Sequence, residues 1–301
     1  GTSSLVNRNE STVGNMGVFL YSDGNTSVMN NTGADINMTG SESIAFYMKN
    51  GGTVTNNANI TADSGTANIG IYNEAGSLYN SGNIKIGDSV IIDAENPFSN
   101  KYAAGIYGEN LQNMVNTGNI EIGDSSIGFY STGNINEALN TGNITSASNN
   151  AIGIYIEQGA VKNSGNITLQ GNNSIGIASP RNGQVTNAGI ITMNGDNSMG
   201  IYANANSTVI NESTGKIYIN GNNSTGIQLS DGSILENYGL ITVASGTIGS
   251  VQVIEGRAAY APPSIVNAGV IKVDEKFELD GYNLIIKPDP SSFRMPTMEE
   301  L

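Results

Sequence analysis

The sequence predicts an all-β protein that folds as a right-handed parallel β-helix, a solenoid of about ten rungs with three short strands in each rung. Two observations predict this fold. A motif recurs about every 24 residues along most of the chain, and apolar residues within it alternate with polar residues or glycine. Alternation with a period of two is typical of strands, and a motif repeated at a fixed spacing is typical of a solenoid.

The spacing of the motif is clearest at an asparagine that follows an apolar residue. We assign it to Asn31, Asn57, Asn80, Asn116, Asn140, Asn163, Asn187, Asn211, Asn237 and Asn267. Seven of the nine spacings lie between 23 and 26 residues, and the other two, 36 and 30, indicate insertions. Strand residues two apart share a face, so this asparagine points inward with the valine before it. We therefore expect an internal ladder of hydrogen-bonded asparagines.

The three strands of a rung have their own sequence patterns. The first reads Ile-Gly-Ile-Tyr, the second Val-x-Asn, and the third Ile-x-aliphatic, with Gly, Asn, Ser and Asp at the turns between them. In Ile152-Gly153-Ile154-Tyr155 we expect both isoleucines to point inward and the glycine and tyrosine to point outward. A single rung buries too little apolar surface to offset its conformational entropy, so the rungs must stack to be stable.

The composition divides the chain into three parts. Residues 1–13 are predicted as a linker or partial rung, and residues 14–273 as the β-helix, with insertions at 89–103 and 250–263. Residues 274–301 are predicted as a C-terminal cap, formed by a hairpin around Asp280-Gly281, or as the start of a neighbouring module.

The composition also excludes several classes of function. The 301 residues include 12 Lys+Arg and 26 Asp+Glu, a net charge of −14, with no cysteine and no histidine. Disulfides, His or Cys metal sites and catalytic pairs that contain His or Cys are therefore impossible, and an acidic chain is a poor binder of nucleic acid. Asp88, Asp124 and Asp196 lie in Gly-Asp turns, but solvated turn carboxylates explain them better than calcium binding. We predict no metal and no cofactor.

The strongest candidate binding feature is a column of outward tyrosines. It comprises Tyr47, Tyr72, Tyr107, Tyr130, Tyr155 and Tyr202, interrupted by Ala178 and ending at Gln228. The residue two places before the tyrosine is mostly glycine (Gly70, Gly105, Gly128, Gly153), which predicts a shallow groove beside an aromatic wall. Such a surface suits sugar rings or an apolar patch of a partner. The alternative is that the stacked tyrosines only stabilise the sheet.

The two insertions are the second candidate. Phe98 and Tyr102 in the first, and Arg257 and Tyr260 in the second, are residue types common at interaction hot spots. Loops on a rigid scaffold often carry recognition, although a tolerated loop without function is the alternative.

The motifs Gly-Ile-Tyr, Val-x-Asn-(Ser/Thr)-Gly-x-Ile and Gly-(Asn/Asp)-(Asn/Ser)-Ser resemble the passenger repeats of bacterial type V autotransporters. They are most similar to those of the large fusobacterial outer-membrane adhesins of the RadD type, over about residues 14–273. The resemblance implies secretion through an outer-membrane barrel, display at the bacterial cell surface and adhesion to host cells or other bacteria. Neither the barrel nor a signal peptide is found in the sequence, so the resemblance implies a passenger fragment whose only membrane link is that barrel.

Three functions remain open from the sequence. The leading hypothesis is a non-enzymatic, monomeric adhesin segment that binds a glycan or protein receptor through the tyrosines or the insertions. The second is a structural stalk that holds a distal binding tip away from the membrane. The third is a polysaccharide hydrolase or lyase, for which the sequence shows no cluster of carboxylates with a cation.

Overall fold

The computed structural model describes residues 3–93, 99–244, 246–247, 249–253, 263–273 and 284–286. The chain is a right-handed parallel β-helix of about ten turns, built from three parallel sheets, which confirms the predicted fold class. The described residues contain no α-helix. Except at the last described strand, the chain visits the three sheets in a fixed order, so strands three apart in the sequence are neighbours in a sheet.

Sheet 1 holds the strands with the Ile-Gly-Ile-Tyr pattern. Its ten strands are β3 (Val18–Asp23), β6 (Ile44–Lys49), β9 (Ile69–Asn73), β12 (Ala104–Glu109), β15 (Ile127–Thr132), β18 (Ile152–Ile156), β21 (Ile175–Ser179), β24 (Met199–Ala203), β27 (Thr225–Leu229) and β30 (Gly249–Val253).

Sheet 2 holds the strands with the Val-x-Asn pattern. Its twelve strands are β1 (Ser3–Asn7), β4 (Thr26–Asn30), β7 (Thr53–Asn56), β10 (Gly76–Asn80), β13 (Leu111–Asn116), β16 (Glu137–Asn140), β19 (Gly159–Asn163), β22 (Gly183–Asn187), β25 (Thr208–Asn211), β28 (Ile234–Asn237), β31 (Ser264–Asn267) and β33 (Leu284–Ile286).

Sheet 3 holds the strands with the Ile-x-aliphatic pattern. Its eleven strands are β2 (Ser11–Val13), β5 (Ile36–Met38), β8 (Ile60–Thr61), β11 (Ile84–Ile86), β14 (Asn119–Ile122), β17 (Asn143–Ser146), β20 (Asn166–Leu169), β23 (Ile190–Met193), β26 (Lys216–Ile219), β29 (Leu240–Val243) and β32 (Val270–Val273).

Aliphatic side chains stack in columns along the interior. Ile154, Ile177 and Ile201 are direct partners in successive strands of sheet 1, and all three are fully buried. The inward residues of the other two sheets, such as Val185 and Ile191, face them across one continuous core. Each rung thus buries its apolar side chains against the rungs on either side, which explains why stacking stabilises the fold.

The asparagine ladder lies inside sheet 2. The side-chain amide of Asn140 donates to Oδ1 of Asn163 over 2.8 Å, and Asn163 donates to Asn187 over 3.0 Å. Asn163 also donates to the carbonyl of Gly165 over 3.2 Å, so both amide hydrogens are used. The ladder comprises Asn7, Asn30, Asn56, Asn80, Asn116, Asn140, Asn163, Asn187, Asn211, Asn237 and Asn267.

The predicted ladder is wrong by one residue at two rungs, because its members there are Asn30 and Asn56 rather than Asn31 and Asn57. Two asparagines are adjacent at both places, and only the first shares the inward parity of the valine two residues before it. Asn57 lies nearer the surface, where its Oδ1 accepts a hydrogen bond from Ser81.

The glycines of sheet 1 point inward, contrary to the prediction. A Cβ on Gly153 would lie 2.7 Å from Cγ2 of the core residue Ile167 and 2.6 Å from the carbonyl oxygen of Gly176. Gly153 and Ile154 are consecutive and both buried, so strict alternation fails at this glycine. Ile152 is therefore partly exposed and outside the core, although the alternation predicted it inside.

The two ends and the insertions modify this regular pattern. Residues 3–13 supply strands β1 and β2, so they belong to the solenoid. The first insertion spans the gap between β11 and β12. Strand β30 continues through Ser250–Val253, where the second insertion was predicted to begin. Strand β33 adds to sheet 2 parallel to β31, while the rest of the predicted hairpin at 274–283 lies outside the described residues.

Candidate functional site

The outward face of sheet 1 carries a continuous column of six tyrosines. We call it the tyrosine column: Tyr21, Tyr47, Tyr72, Tyr107, Tyr130 and Tyr155, which are register partners in successive strands. The sequence prediction missed Tyr21, which ends the run Val18-Phe19-Leu20-Tyr21. The repeat spacing contained the signal, since Tyr21 precedes Tyr47 by 26 residues.

The central rings of the column are stacked face to face. Tyr47, Tyr72, Tyr107 and Tyr130 have successive centroid distances of 4.8, 4.6 and 4.6 Å and interplanar angles of 5°, 8° and 15°. At both ends the rings meet edge to face, Tyr21 on Tyr47 and Tyr155 on Tyr130. Both faces of Tyr72 and Tyr107 are therefore covered by neighbours, and only the ring edges and hydroxyls face outward.

Two carboxylates accept hydrogen bonds from the tyrosine column. The hydroxyl of Tyr47 donates to Oε1 of Glu74 over 2.6 Å, and the hydroxyls of Tyr72 and Tyr107 both donate to Oε1 of Glu109 over 2.7 Å. Neither glutamate forms an ion pair with a described basic side chain. The column thus presents stacked phenols beside uncompensated negative charge.

The same contacts hold the tyrosines in the neutral form. The hydrogen bond to Glu74, together with burial, raises the pKa of Tyr47 to about 12. Burial raises the pKa of Tyr130 to about 12, with the nearby Tyr155 and Glu157 adding to it. Burial first and Glu109 second raise the pKa of Tyr72, and burial also raises the pKa of Tyr107. The hydroxyls therefore remain hydrogen-bond donors at neutral pH.

The column changes beyond Tyr155. Ala178 takes the tyrosine position in the next rung and is 3% exposed, and Tyr202 follows it. The hydroxyl of Tyr202 accepts a hydrogen bond from Asn204 over 3.1 Å. Gln228 occupies the next position. Tyr202 is therefore separated from the stacked rings, although the sequence predicted it as part of the same column.

No groove runs beside the tyrosines at the predicted glycines. Gly70, Gly105, Gly128 and Gly153 are buried, and a Cβ on each would approach a core isoleucine of sheet 3 to within 2.7–3.1 Å. The outward neighbour of the tyrosine column is instead a partly covered apolar column that includes Ile69, Ile152 and Ile175. The glycines serve close packing of two sheets, so the surface lacks the backbone floor predicted for a sugar groove.

The first insertion is anchored at its base. Val90 and Lys101 exchange backbone hydrogen bonds of 2.8 and 2.9 Å. Oδ1 of Asn100 accepts from the backbone of Ile92 over 2.8 Å. The ammonium of Lys101 forms an ion pair of 2.7 Å with Glu42, which precedes β6, two strands away from β12 in sheet 1. These contacts fix the base of the loop against the solenoid.

The anchored loop exposes apolar surface. Ile92 is 62% and Tyr102 is 40% exposed, and Tyr102 is one of the groups that raise the pKa of Tyr130. Tyr102 lies two residues before β12, the strand that carries Tyr107. Phe98, Arg257 and Tyr260 lie outside the described residues.

The turn aspartates have structural partners. Oδ1 of Asp88 accepts from the backbone N–H of Asp124 over 2.7 Å, and Oδ1 of Asp196 accepts from that of Asn222 over 2.7 Å. Within the described part of the chain, no group of three or more Asp or Glu is placed to hold a metal ion. These carboxylates link turns of adjacent rungs.

Comparisons with known proteins give one match. No curated protein and no solved structure matches the chain significantly. The described residues include no helix that is long and apolar enough to cross a membrane. The family described as the BigA third pectate lyase-like domain matches residues 1–162, more than half of the 301 residues. BigA is an autotransporter-type adhesin, which agrees with the passenger-like repeat. The chain therefore belongs to the family of the BigA third pectate lyase-like domain, a passenger-like domain of an autotransporter-type adhesin.

Proposed function

We propose that the chain is a non-enzymatic adhesin segment, displayed at the bacterial outer membrane, that attaches to a receptor on host cells or other bacteria. The tyrosine column and the adjacent loop with Ile92 and Tyr102 form the contact surface. The assignment to the RadD type stays a prediction, as do the monomeric state and the identity of the receptor.

The tyrosine column is the observation that carries this proposal. From Ala178 onward the described part of the solenoid keeps the same asparagine ladder and aliphatic core without a stacked tyrosine. The fold therefore does not require the column, and a role in recognition accounts for a surface that the interior does not demand.

The geometry favours a protein receptor over a stacked sugar. Aromatic side chains hold a sugar or a second ring by offering a free face, and the faces of Tyr72 and Tyr107 are already covered. The accessible groups are ring edges, hydroxyls and the carboxylates Glu74 and Glu109. With a net charge of −14, such a surface complements a basic patch of a protein.

A binding assay on whole cells tests the proposal. We expect the purified chain to bind cells, and Tyr107→Ser/Tyr130→Ser/Tyr155→Ser to lose most of this binding while keeping its β-sheet circular dichroism. The matched control, Tyr79→Ser/Tyr218→Ser/Tyr238→Ser, removes three tyrosines from elsewhere on the solenoid and should bind normally. Glu109→Lys tests the same face with a single change if the triple variant unfolds. Unchanged binding by both variants of the column would refute the site.

The first insertion is tested separately. Replacing residues 90–102 with a short glycine-serine linker should weaken cell binding, because it removes the exposed apolar side chains beside the column. Full binding by this variant would remove the loop from the contact surface and leave the tyrosine column as the site.

Two other functions predict different results. A structural stalk would bind neither cells nor a glycan array as an isolated segment. The words pectate lyase-like in the family description make cleavage of a polyuronate the second alternative. Polygalacturonate incubated with the chain and calcium should then yield unsaturated products, detected by ultraviolet absorbance. We expect none, because such cleavage needs carboxylates grouped with a cation, and the described residues hold no such metal group.

A further inference from the structure

The chain cannot form a disulfide, because it has no cysteine, and it has no tryptophan or histidine. Its oxidisable side chains are therefore the tyrosines and methionines. Four of the 13 tyrosines are stacked on consecutive rungs, partly exposed on the outer face of sheet 1. An oxidant in solution therefore meets neighbouring phenols that are already held together.

Tyr72 and Tyr107 are the best-placed pair in this stack. Their rings are 4.6 Å apart and within 8° of parallel. Both hydroxyls donate over 2.7 Å to the same oxygen of Glu109, so the two phenol oxygens lie close together. The ring carbons ortho to these hydroxyls, which carry much of the unpaired spin of a tyrosyl radical, are consequently near neighbours.

Glu109 is also placed to accept a proton from the phenols. An oxidised phenol must release its proton as it loses an electron. A carboxylate already hydrogen-bonded to the hydroxyl accepts that proton without diffusion. Tyr47 has the same arrangement with Glu74. Tyr79 and Tyr238, by contrast, are exposed and are not part of any ring pair among the described residues.

We propose that Tyr72 and Tyr107 are a site of oxidative cross-linking, where a peroxidase and hydrogen peroxide convert the stacked pair into a dityrosine that joins two rungs. Each phenol gives one electron to the oxidant and one proton to a carboxylate. The two radicals form a bond between ortho carbons, and the hydrogens displaced there restore the hydroxyls by enolisation. The pair loses two hydrogens in total, and one hydrogen peroxide is reduced to two waters.

The position of this pair gives the cross-link a structural consequence. Tyr72 in β9 and Tyr107 in β12 are direct register partners, yet they are 35 positions apart in the chain, with the first insertion between them. A covalent bond there closes this long loop in the unfolded chain and so restricts it, as a disulfide does. The tyrosine pair would then form a redox-dependent covalent cross-link in a chain that has no thiols.

The experiment treats the full chain with hydrogen peroxide and a haem peroxidase at several protein concentrations. We expect the fluorescence of dityrosine, with a yield per chain independent of concentration. Peptide mass spectrometry should find Tyr72 joined to Tyr107 with the loss of two hydrogens. The oxidised protein should melt on the order of 5–10 °C higher than the untreated protein.

Matched variants separate this site from other tyrosines. Tyr107→Phe keeps a stacked ring without a phenol and should lose most of the dityrosine, whereas Tyr79→Phe should leave the yield unchanged. Glu109→Gln retains a hydrogen-bond acceptor but is a poor proton acceptor, so it should slow the reaction several-fold. A yield that Tyr107→Phe does not lower, a yield that rises with protein concentration, or oxidation confined to methionine would each overturn the proposal.

Discussion

The rungs before and after Lys162 share one interior but have different outer faces. The asparagine ladder and the inward glycines continue through both regions, as Asn116 and Asn187 or Gly128 and Gly176 show. Among the residues that the structure describes, the stacked tyrosines occur only in the first region, which is also the region that the family match covers.

This difference separates what the fold needs from what the surface adds. A change at an inward position affects the rungs above and below, because each inward group contacts its counterparts there. An outward side chain contacts its neighbours but is not enclosed by them, so the outer face tolerates Tyr, Ala or Gln at one position of the repeat. The proposed recognition surface therefore lies on the face that varies.

The largest expected effect is loss of a ladder asparagine. Asn163→Leu leaves the donor of Asn140 and the acceptor of Asn187 without their partner, and we expect a loss of about 2–5 kcal/mol of unfolding free energy. Asn116→Leu and Asn211→Leu should cost similar amounts, since the interior is the same in both regions. Denaturant unfolding measures this.

A second asparagine ladder provides the control. Asn143 donates to Asn119 over 2.7 Å, but both side chains are exposed. Water replaces a lost bond there, so Asn143→Leu should cost less than about 1 kcal/mol. Equal costs for the inner and outer ladders would contradict the role assigned to burial.

The next effect concerns the inward glycines. A Cβ added to Gly128 would meet the carbonyl oxygen of Gly153 and Cγ2 of Ile144, each at 2.7 Å. We expect Gly128→Ala and Gly176→Ala to destabilise the protein by about 1–3 kcal/mol each, in both regions alike. Gly14→Ala, which adds a Cβ with no atom within 4 Å, is the control for thermal melting.

High pH should lower the stability of the protein through the tyrosine column of the first region. Contacts in the folded state raise the pKa of Tyr47 and Tyr130 to about 12, whereas an unfolded tyrosine ionises near its ordinary value of 10.0. This stabilisation is fully present below pH 10 and is lost as the pH rises toward 12, because the unfolded chain gains by ionising first. Circular dichroism between pH 8 and 12 should show the loss.

Phenylalanine variants identify the groups responsible for this pH dependence. Tyr47→Phe/Tyr130→Phe cannot ionise at these positions and should lose less stability between pH 10 and 12 than the unaltered chain. An identical pH profile for both proteins would show that the tyrosine column does not cause the alkaline loss.

The smallest expected effect is that of a surface ion pair in the second region. Lys162 and Glu212 approach to 2.8 Å across two rungs, but their side chains are 41% and 37% exposed. Lys162→Gln should therefore cost about 0–1 kcal/mol, and added salt should remove even that difference. A larger cost in urea unfolding would mean that outward contacts contribute more to the fold than proposed.

The repeat in the sequence was sufficient to predict the fold class and the stacking of Ile154, Ile177 and Ile201. Simple alternation was not sufficient for the direction of each side chain. It placed Gly153 outside and Ile152 inside, because it could not foresee that the glycine lies against Ile167 of the neighbouring sheet. Two asparagines are adjacent at 30–31 and at 56–57. The choice between them depends on which one lies on the same face of the strand as the valine before it.

The sequence by itself determined the number of rungs and most of the aliphatic residues that fill them, because a solenoid repeats its core at each turn and the spacing of apolar residues reports that turn directly. Only the tertiary structure showed that Tyr21 joins the column, that the central rings cover each other, and that Glu109 bridges two rungs. The physical reason is that the ring contacts and the Tyr72–Glu109 hydrogen bond join residues 23–37 positions apart, and their geometry depends on the packing of neighbouring strands.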